Sequence, residues 1–255
     1  MFKSHIERLK KSKFFLICTI ILLVFPSLEI IQIFLQINKG GSVPEPLYAF
    51  FLAGYSNFGM LQSIFFWFLP IYLMLLVADD SIVEFKTGYY NIILSKCSKR
   101  TYCLEKVVTS FFISFMVMFF ALLLNLLLVN LIFRNGTYNI YEGLDLTENY
   151  FFEVCLNHPL ITDVLYLVLV SLITGICGSL GAACSLFFKD KKYAYVVTFA
   201  MWFILVMQKK SLMLLLQPFN EYPLSDLLEI LISYLVIFLG SIAVLLKYEI
   251  KNEVF

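Results

Sequence analysis

Residues 107–133 read VVTSFFISFMVMFFALLLNLLLVNLIF, 27 residues in a row without a charged side chain. The hydrocarbon core of a bilayer is about 30 Å thick, and a helix needs about 20 mainly apolar residues to cross it. Lipid offers no partner for backbone polar groups, so the run is predicted to form a helix rather than a strand of an open sheet. This stretch places the chain among the membrane proteins.

The rest of the chain has the same character. It is 61% hydrophobic and 15% charged, whereas soluble domains are typically about 45–50% apolar and about 25% charged. Five further apolar runs cover residues 14–35, 58–78, 160–188, 193–207 and 227–246. We therefore predict an all-α integral membrane protein with six transmembrane helices, built as a single domain over residues 1–255.

The first run follows a basic segment, as the apolar region of a signal peptide does. That region is about 7–15 residues long in secretory signals, and the run at 14–35 has 22. An uncleaved first span is therefore the preferred interpretation.

The positive charges are distributed unevenly along the predicted loops. Of the 19 Lys and Arg residues, 15 lie in 1–13, 86–106, 189–192 or after residue 246. Short cytoplasmic loops carry such an excess, which predicts that both termini and the segment 79–106 lie in the cytoplasm. The net charge of +1 hides this asymmetry and says nothing about partners; no nucleic-acid partner is expected.

The amino-terminal stretch MFKSHIERLKKSK places Phe2, Ile6 and Leu9 on one helical face. This pattern is typical of an amphipathic helix lying on membrane lipid, and we predict one over residues 1–13. Its basic residues would serve equally well as a topology signal alone.

The segment 79–106 is too long for a simple connection. It has 28 residues, whereas packed helices are usually joined by about 2–8. Phe85, Tyr89 and Ile92 follow helical spacing and Glu84 lies on another face. The pattern predicts a short helix on the cytoplasmic surface that docks a partner, with a solvated loop as the alternative.

The predicted spans contain few polar residues. There is no HExxH, no GxSxG, no GxxxxGK[ST] nucleotide loop, and no Cys/His cluster at metal-ligand spacing. We predict no enzyme activity, metal site or nucleotide site in this chain. Glu29, Asn125 and Asn130 are the candidates to line a transport path; Glu29 alternatively reaches the outer headgroup region.

Small residues recur at spacings of three and four in the fourth run. They are Gly175, Gly178, Gly181 and Ala182. Such residues allow helix backbones to approach closely, so we predict a helix-packing face, within the chain or against a second copy.

The stretch 84–106, E..TGYYNIILSKCSKRTYCLEK, resembles the first cytoplasmic loop of ABC-2 type transporter permeases. The matching positions are Glu84, Gly88, Leu94, Ser95, Lys96, Arg100 and Lys106. The resemblance implies a coupling helix between spans two and three that sits in a cleft of a cytoplasmic ATPase subunit. It assigns the coupling role to Glu84, Phe85, Gly88, Tyr89, Arg100 and Lys106, and places re-entrant outer helices at 208–226.

The same resemblance implies a permease subunit in a bacterial cytoplasmic membrane. A second permease copy, identical or related, and two ABC ATPase subunits would complete the transporter, and those subunits would bind ATP and Mg²⁺. The expected substrate is hydrophobic or amphipathic, with antimicrobial-peptide export or self-immunity as first choice. Two alternatives stay open: a membrane partner of a signalling system that docks a cytoplasmic protein through 79–106, and an intramembrane enzyme.

Overall fold

The computed structural model of the chain describes residues 13–55, 59–139 and 149–251. Within these ranges the regular structure is helical, apart from a single bridge between Pro44 and Tyr138. The α-helices in chain order are α1 Lys13–Val24, α2 Leu28–Asn38, α3 Met60–Trp67, α4 Leu69–Leu73, α5 Asp79–Lys86, α6 Tyr89–Leu94, α7 Lys99–Ile132, α8 Tyr150–Asn157, α9 Pro159–Phe188, α10 Lys191–Val206, α11 Leu212–Leu215 and α12 Leu224–Lys251. The predicted amphipathic helix over 1–13 lies outside the described residues, except for its last residue.

Four of the described helices are long and apolar enough to cross a membrane. They are α7, α9, α12 and the helix Phe15–Asn38, which joins α1 and α2 through a 3-10 turn. They match the first, third, fourth and sixth apolar runs, so an all-helical membrane protein is confirmed. A fifth candidate is the pair α3 and Leu69–Lys86, bent by 52°. Helix α10 has 16 residues, so the six-span count is not reached by length and composition.

The bend in the second run has a local cause. Phe68 departs from helical geometry at φ −95° and ψ 5°, and Pro70 follows with no backbone N–H to donate. A π-helical turn, Met74–Ala78, then leads directly into α5. The residues after 78 therefore continue as helix to Lys86. The sequence suggested that the helix of this run ends at residue 78.

Helix α9 is the centre of the bundle. It packs against α7, α10, α12 and the α4–α5 segment, and small residues make the approach close. A Cβ added to Gly178 would lie 2.1 Å from the Ser114 Oγ of α7, and one added to Gly181 would lie 2.7 Å from the Met74 Sδ. Gly175 abuts the Phe111 ring, and Ala182 is buried. The residues predicted to pack helices thus lie at contacts within the chain.

The segment between α10 and α12 is short and apolar. Helix α11 is a single turn that ends before Pro218, and its Leu212 and Leu215 are buried. The Gln217 Nε2 donates to the Gln62 Oε1 at 2.9 Å, which fixes the segment against α3. The sequence suggested re-entrant helices at 208–226; the structure has one four-residue helix there, because prolines at 218 and 223 prevent its extension.

Candidate functional site

Helices α5 and α6 form a hairpin at one end of the bundle, which we call the hairpin end. The turn between them is Thr87–Gly88, and Gly88 has a φ of +74°. This left-handed conformation suits glycine, because it carries no Cβ that would clash. The Thr87 N–H donates to the Val83 carbonyl at 2.9 Å, which closes α5. Gly88 therefore allows the chain to reverse direction at the tip.

An ion pair lies beneath the hairpin. The Lys106 Nζ donates to the Glu84 Oε1 at 2.8 Å and to the Asp80 Oδ2 at 2.7 Å. The Tyr102 hydroxyl donates to the other Glu84 oxygen, Oε2, at 2.5 Å. Glu84 is 3% exposed and Lys106 4% exposed. Removing one member of such a buried pair is strongly destabilising, so this contact fixes the hairpin to α7.

The length of α7 explains how these charges are accommodated. Its 34 residues extend over about 51 Å at 1.5 Å per residue, well beyond a hydrocarbon core of about 30 Å. Tyr102 and Lys106 lie in its first turns, one turn apart on the same face. The helix can thus cross a membrane and still hold the ion pair outside the hydrocarbon.

A second attachment joins the base of the hairpin to α10. The Lys191 Nζ donates to the Asp79 Oδ2 at 2.5 Å, and the Tyr195 hydroxyl donates to the Asp79 Oδ1 at 2.9 Å. Lys191 and Tyr195 are four residues apart, so they occupy one face of α10. Asp79 begins α5 immediately after the π-helical turn, so the first residue of the hairpin is held by two hydrogen bonds.

A third attachment comes from the end of α12. The Glu249 Oε1 lies 3.1 Å from the Lys99 Nζ and 3.7 Å from the Lys189 Nζ. The Lys189 Nζ also lies 4.8 Å from the centre of the Phe85 ring, within the range of a cation–π contact. The last helix is thereby connected to both α7 and the hairpin.

An aromatic stack joins these attachments. The Tyr90 ring centre lies 5.9 Å from that of Phe85 and 5.4 Å from that of Tyr102. Burial, followed by the charge of Glu249, raises the pKa of Tyr90 to about 12. The phenol therefore stays neutral at physiological pH and acts as a packing group between α5 and α7.

The opposite surface of the hairpin is apolar and exposed. Val83 and Phe85 on α5 are 46% and 42% exposed, and Tyr89 and Ile92 on α6 are 39% and 55% exposed. We call these four residues the hairpin tip. An open groove of about 440 Å³ runs alongside, lined by Asp80, Val83, Glu84, Thr87, Gly88, Tyr89 and Ile92. The hairpin thus has a fixed polar base and an exposed apolar tip.

The six residues proposed for coupling separate into two groups. Phe85, Gly88 and Tyr89 lie at the turn and tip, and Arg100 is exposed in the first turn of α7. Glu84 and Lys106 instead face inward and bind each other. The docking face suggested for Glu84 is therefore not where its carboxylate lies, because Lys106 and Tyr102 draw it beneath the hairpin. The sequence does contain a sign of this ion pair that was overlooked. Asp80 and Glu84 lie four residues apart, and so do Tyr102 and Lys106, so each pair occupies one face of its helix.

The three candidates for a transport path lie on α2 and α7. The Asn125 side chain donates to the Pro26 carbonyl at 2.9 Å and accepts from the Phe51 N–H at 3.0 Å. It therefore satisfies backbone groups where the first helix breaks. The Asn130 side chain donates to its own helix at the Leu126 carbonyl, and Glu29 is buried in α2.

One further acid was missed by the sequence analysis. Asp163 lies one turn inside α9, where its side chain is fully buried. Neither of its carboxylate oxygens has a hydrogen-bond partner. It is about 35 Å along α9 from the contacts of Leu186 with the hairpin end, at 1.5 Å per residue. We call this the far end of the bundle.

These features define a helical protein that has, within the described ranges, four helices long and apolar enough to cross a membrane and a hairpin anchored at one end of the bundle. The chain is 43% identical to the uncharacterized protein YybM of Bacillus subtilis (strain 168) over 253 residues, which cover 98% of this chain and 99% of the relative. It belongs to the same family as that protein. No protein-family model matches the chain, and no solved structure matches it either.

Proposed function

We propose that the chain is the permease subunit of an ABC transporter and that the hairpin receives a separate cytoplasmic ATPase subunit. The observation that supports this proposal is the difference between the tip and the base of the hairpin. The four residues of its tip are exposed and apolar, while Glu84 and Asp79 fix its base to α7 and α10. Phe85 also lies against the Lys189 ammonium, which pairs with Glu249 of α12. A movement of a protein seated on the tip would therefore be passed to three helices.

This proposal requires α10 to act as a short additional span. Its 16 residues cover about 24 Å, less than the hydrocarbon thickness of about 30 Å. Lys191 at its start and Lys209 just after its end can extend their stems to the two interfaces. Six spans with both termini and the hairpin in the cytoplasm then follow, as the distribution of Lys and Arg favours.

ATP and Mg²⁺ enter this scheme through the partner. The sequence contains no GxxxxGK[ST] loop, so two ATPase subunits would bind the nucleotide and two permease copies would form the path between them. The cargo we propose is hydrophobic or amphipathic, with an antimicrobial peptide as first choice, in a bacterial cytoplasmic membrane.

The proposal predicts which protein is retained by the tip. After crosslinking in native membranes, purification of the chain should recover an ABC ATPase together with vanadate-sensitive ATP hydrolysis. The double variant Phe85→Ala, Tyr89→Ala should lower that recovery by about tenfold or more, since truncated aromatic anchors typically cost about 1–2 kcal/mol or more. The matched control is Tyr193→Ala, Tyr248→Ala, an exposed aromatic pair outside the hairpin, which should retain the ATPase.

Two results would reject the proposal. One is a preparation in which no ABC ATPase is crosslinked to the chain. The other is retention at the tip of a different cytoplasmic protein, such as a kinase, which would favour the signalling alternative.

A further inference from the structure

The buried acid at the far end has no hydrogen-bond or ion-pair partner among residues 13–55, 59–139 and 149–251. Both carboxylate oxygens of Asp163 lack a hydrogen-bond partner, and its side chain has no solvent exposure. The neighbouring Thr162 hydroxyl does not supply one, because it donates to the Cys155 and His158 carbonyls, each at 3.1 Å. An ionisable group buried inside a membrane protein is a functional candidate by default.

The surroundings of Asp163 are aromatic and apolar. Tyr48, Phe152, Cys155 and Phe219 form a buried group at this end, which we call the far-end cluster, and the ring centres of Tyr48 and Phe219 are 5.2 Å apart. Burial and the carboxylate of Glu45 raise the pKa of the Tyr48 phenol, and a hydrogen bond with Asn139 lowers it. Thr162, next to Asp163 in the chain, donates its hydroxyl to the carbonyl of Cys155 in the cluster at 3.1 Å, which places Asp163 at its edge.

The far-end cluster also stores backbone strain. Phe219 has a φ of +57°, a left-handed conformation that is unusual for a bulky residue. Strained residues persist only where their surroundings hold them, and they concentrate at sites that switch. Phe219 is held by packing, since it is buried against Tyr48. Loosening the cluster would release this strain.

Among the residues that the structure describes, no lysine, arginine or histidine forms an ion pair with Asp163, and Arg134, just after α7, is exposed. Segment 46–49 contributes Tyr48, α8 contributes Cys155, and α9 itself contributes Tyr166 one turn away, all buried. Segment 51–53 and the facing part of α7, residues 125–132, contain no titratable side chain. The charged residues of the flanking loops and turns are half-buried or exposed: Glu45, Glu153, His158 and Glu221.

A carboxylate in this position can lower its free energy by binding a metal ion or a proton. In the described ranges, no group of three or more His, Cys, Asp or Glu side chains is placed to hold a metal ion. An isolated buried acid then takes up a proton and becomes neutral. We propose that Asp163 is a proton-binding site whose neutral carboxyl group keeps the far-end cluster closed, and that loss of the proton opens the cluster.

The switching step is a simple ionisation. The O–H bond of the Asp163 carboxyl breaks, the proton passes to water at the far end, and a carboxylate is left among apolar side chains. That charge is better solvated by water than by Tyr48 and Phe152, so the open form is favoured as the pH rises. Opening would let Phe219 relax and would expose the Cys155 thiol.

The protonation state is tested directly by infrared spectroscopy on the purified full chain. At neutral pH the wild type should show the carbonyl stretch of a protonated carboxyl group that shifts in D₂O and disappears in Asp163→Asn. A difference spectrum that contains only ionised carboxylate bands at Asp163 would overturn the proposal, and so would carboxylate bands that change on adding Na⁺.

The opening is tested by the rate at which a maleimide modifies Cys155, located by mass spectrometry in detergent solution. Both proteins carry the same thiol, and an ionised Asp163 would disfavour the thiolate and slow the wild type, so a rise in the ratio of wild-type to Asp163→Asn rates reports opening of the cluster. We expect this ratio to rise with pH by up to about tenfold per pH unit, the limit for release of one proton. A ratio that stays constant as the pH rises would reject the switch. Neither measurement depends on an ATPase, so failure here and failure of the proposed function are distinguishable.

Discussion

The buried acids at the two ends of α9 differ in whether a nearby side chain compensates their charge. At the hairpin end, Glu84 is compensated by the Lys106 ammonium and the Tyr102 hydroxyl. At the far end, Asp163 is buried just as deeply without a hydrogen-bond partner. The first arrangement holds a fixed charge and therefore a fixed geometry. The second lacks a fixed counter-charge, so its charge state is open to change by pH.

The difference follows from which residues each neighbouring helix offers. Helix α7 carries Tyr102 and Lys106 on one face at the hairpin end, but its facing residues at the other end, 125–132, are apolar apart from two asparagines. A buried carboxylate is stable only with a close partner. We infer that the hairpin end is built to transmit movement and the far end to change state.

Removing the shared cation should have the largest effect. Lys106→Met keeps the length of the side chain and removes the ammonium that Asp80 and Glu84 share. We expect a loss of about 3–5 kcal/mol in the free energy of unfolding, the usual result of removing one member of a buried pair. Thermal unfolding in detergent measures this, with a decrease of roughly 10 °C expected for a chain of this size.

Two variants show whether charge is the cause. Lys247→Met alters an exposed lysine at the same end and should leave the unfolding temperature nearly unchanged. Lys106→Met combined with Glu84→Gln should recover part of the loss, because the buried negative charge is also removed. A double variant as unstable as Lys106→Met alone would show that lost packing, not charge, causes the effect.

The apolar part of this architecture could be predicted from the sequence. Uninterrupted runs such as 107–133 determine helices in lipid, because no other local structure satisfies their backbone. The contacts between charged residues could not be predicted from the sequence. Glu84 lies on α5 and Lys106 lies 22 positions later, and only the reversal at Gly88 and the start of α7 at Lys99 bring them together.

The far end was harder to predict for a different reason. Asp163 sits near the start of an apolar run, where a carboxylate would ordinarily reach water. Its burial depends on the loop segment 46–49 and on α8, whose positions no local pattern indicates. The strained φ of Phe219 likewise results from tertiary packing that overrides a local preference.

The next largest loss of stability is expected at the contact between α7 and α9, which lies between the two ends of the bundle. Gly178→Ala places a Cβ 2.1 Å from the Ser114 Oγ and 2.7 Å from the Ser114 Cβ, so α7 and α9 must move apart. Overpacking of this kind typically costs about 1–3 kcal/mol. The unfolding temperature in detergent reports it, and Gly178→Ala combined with Ser114→Gly should recover most of the loss.

Gly240 on α12 provides the matched control. A Cβ added there meets nothing within 4 Å, so Gly240→Ala should be neutral or stabilising by up to about 1 kcal/mol through helix propensity. Equal losses at positions 178 and 240 would contradict a close contact between α7 and α9.

The smallest effect is expected where the two ends are compared by the same chemical change. Asp163→Asn replaces a neutral acid by a neutral amide of nearly equal shape, so at about pH 4, where the carboxyl group is also partly protonated in the unfolded chain, we expect a change in unfolding free energy within about 1 kcal/mol. Glu84→Gln removes a charge that Lys106 needs and should cost several times more. The unfolding temperatures of both variants, measured together across a pH series, test this. As the pH rises, the wild type should lose stability relative to Asp163→Asn, because ionised Asp163 is unfavourable only in the folded chain. A loss at Asp163→Asn as large as that at Glu84→Gln would mean that the far-end carboxyl is also an anchor, and the contrast between the two ends would disappear.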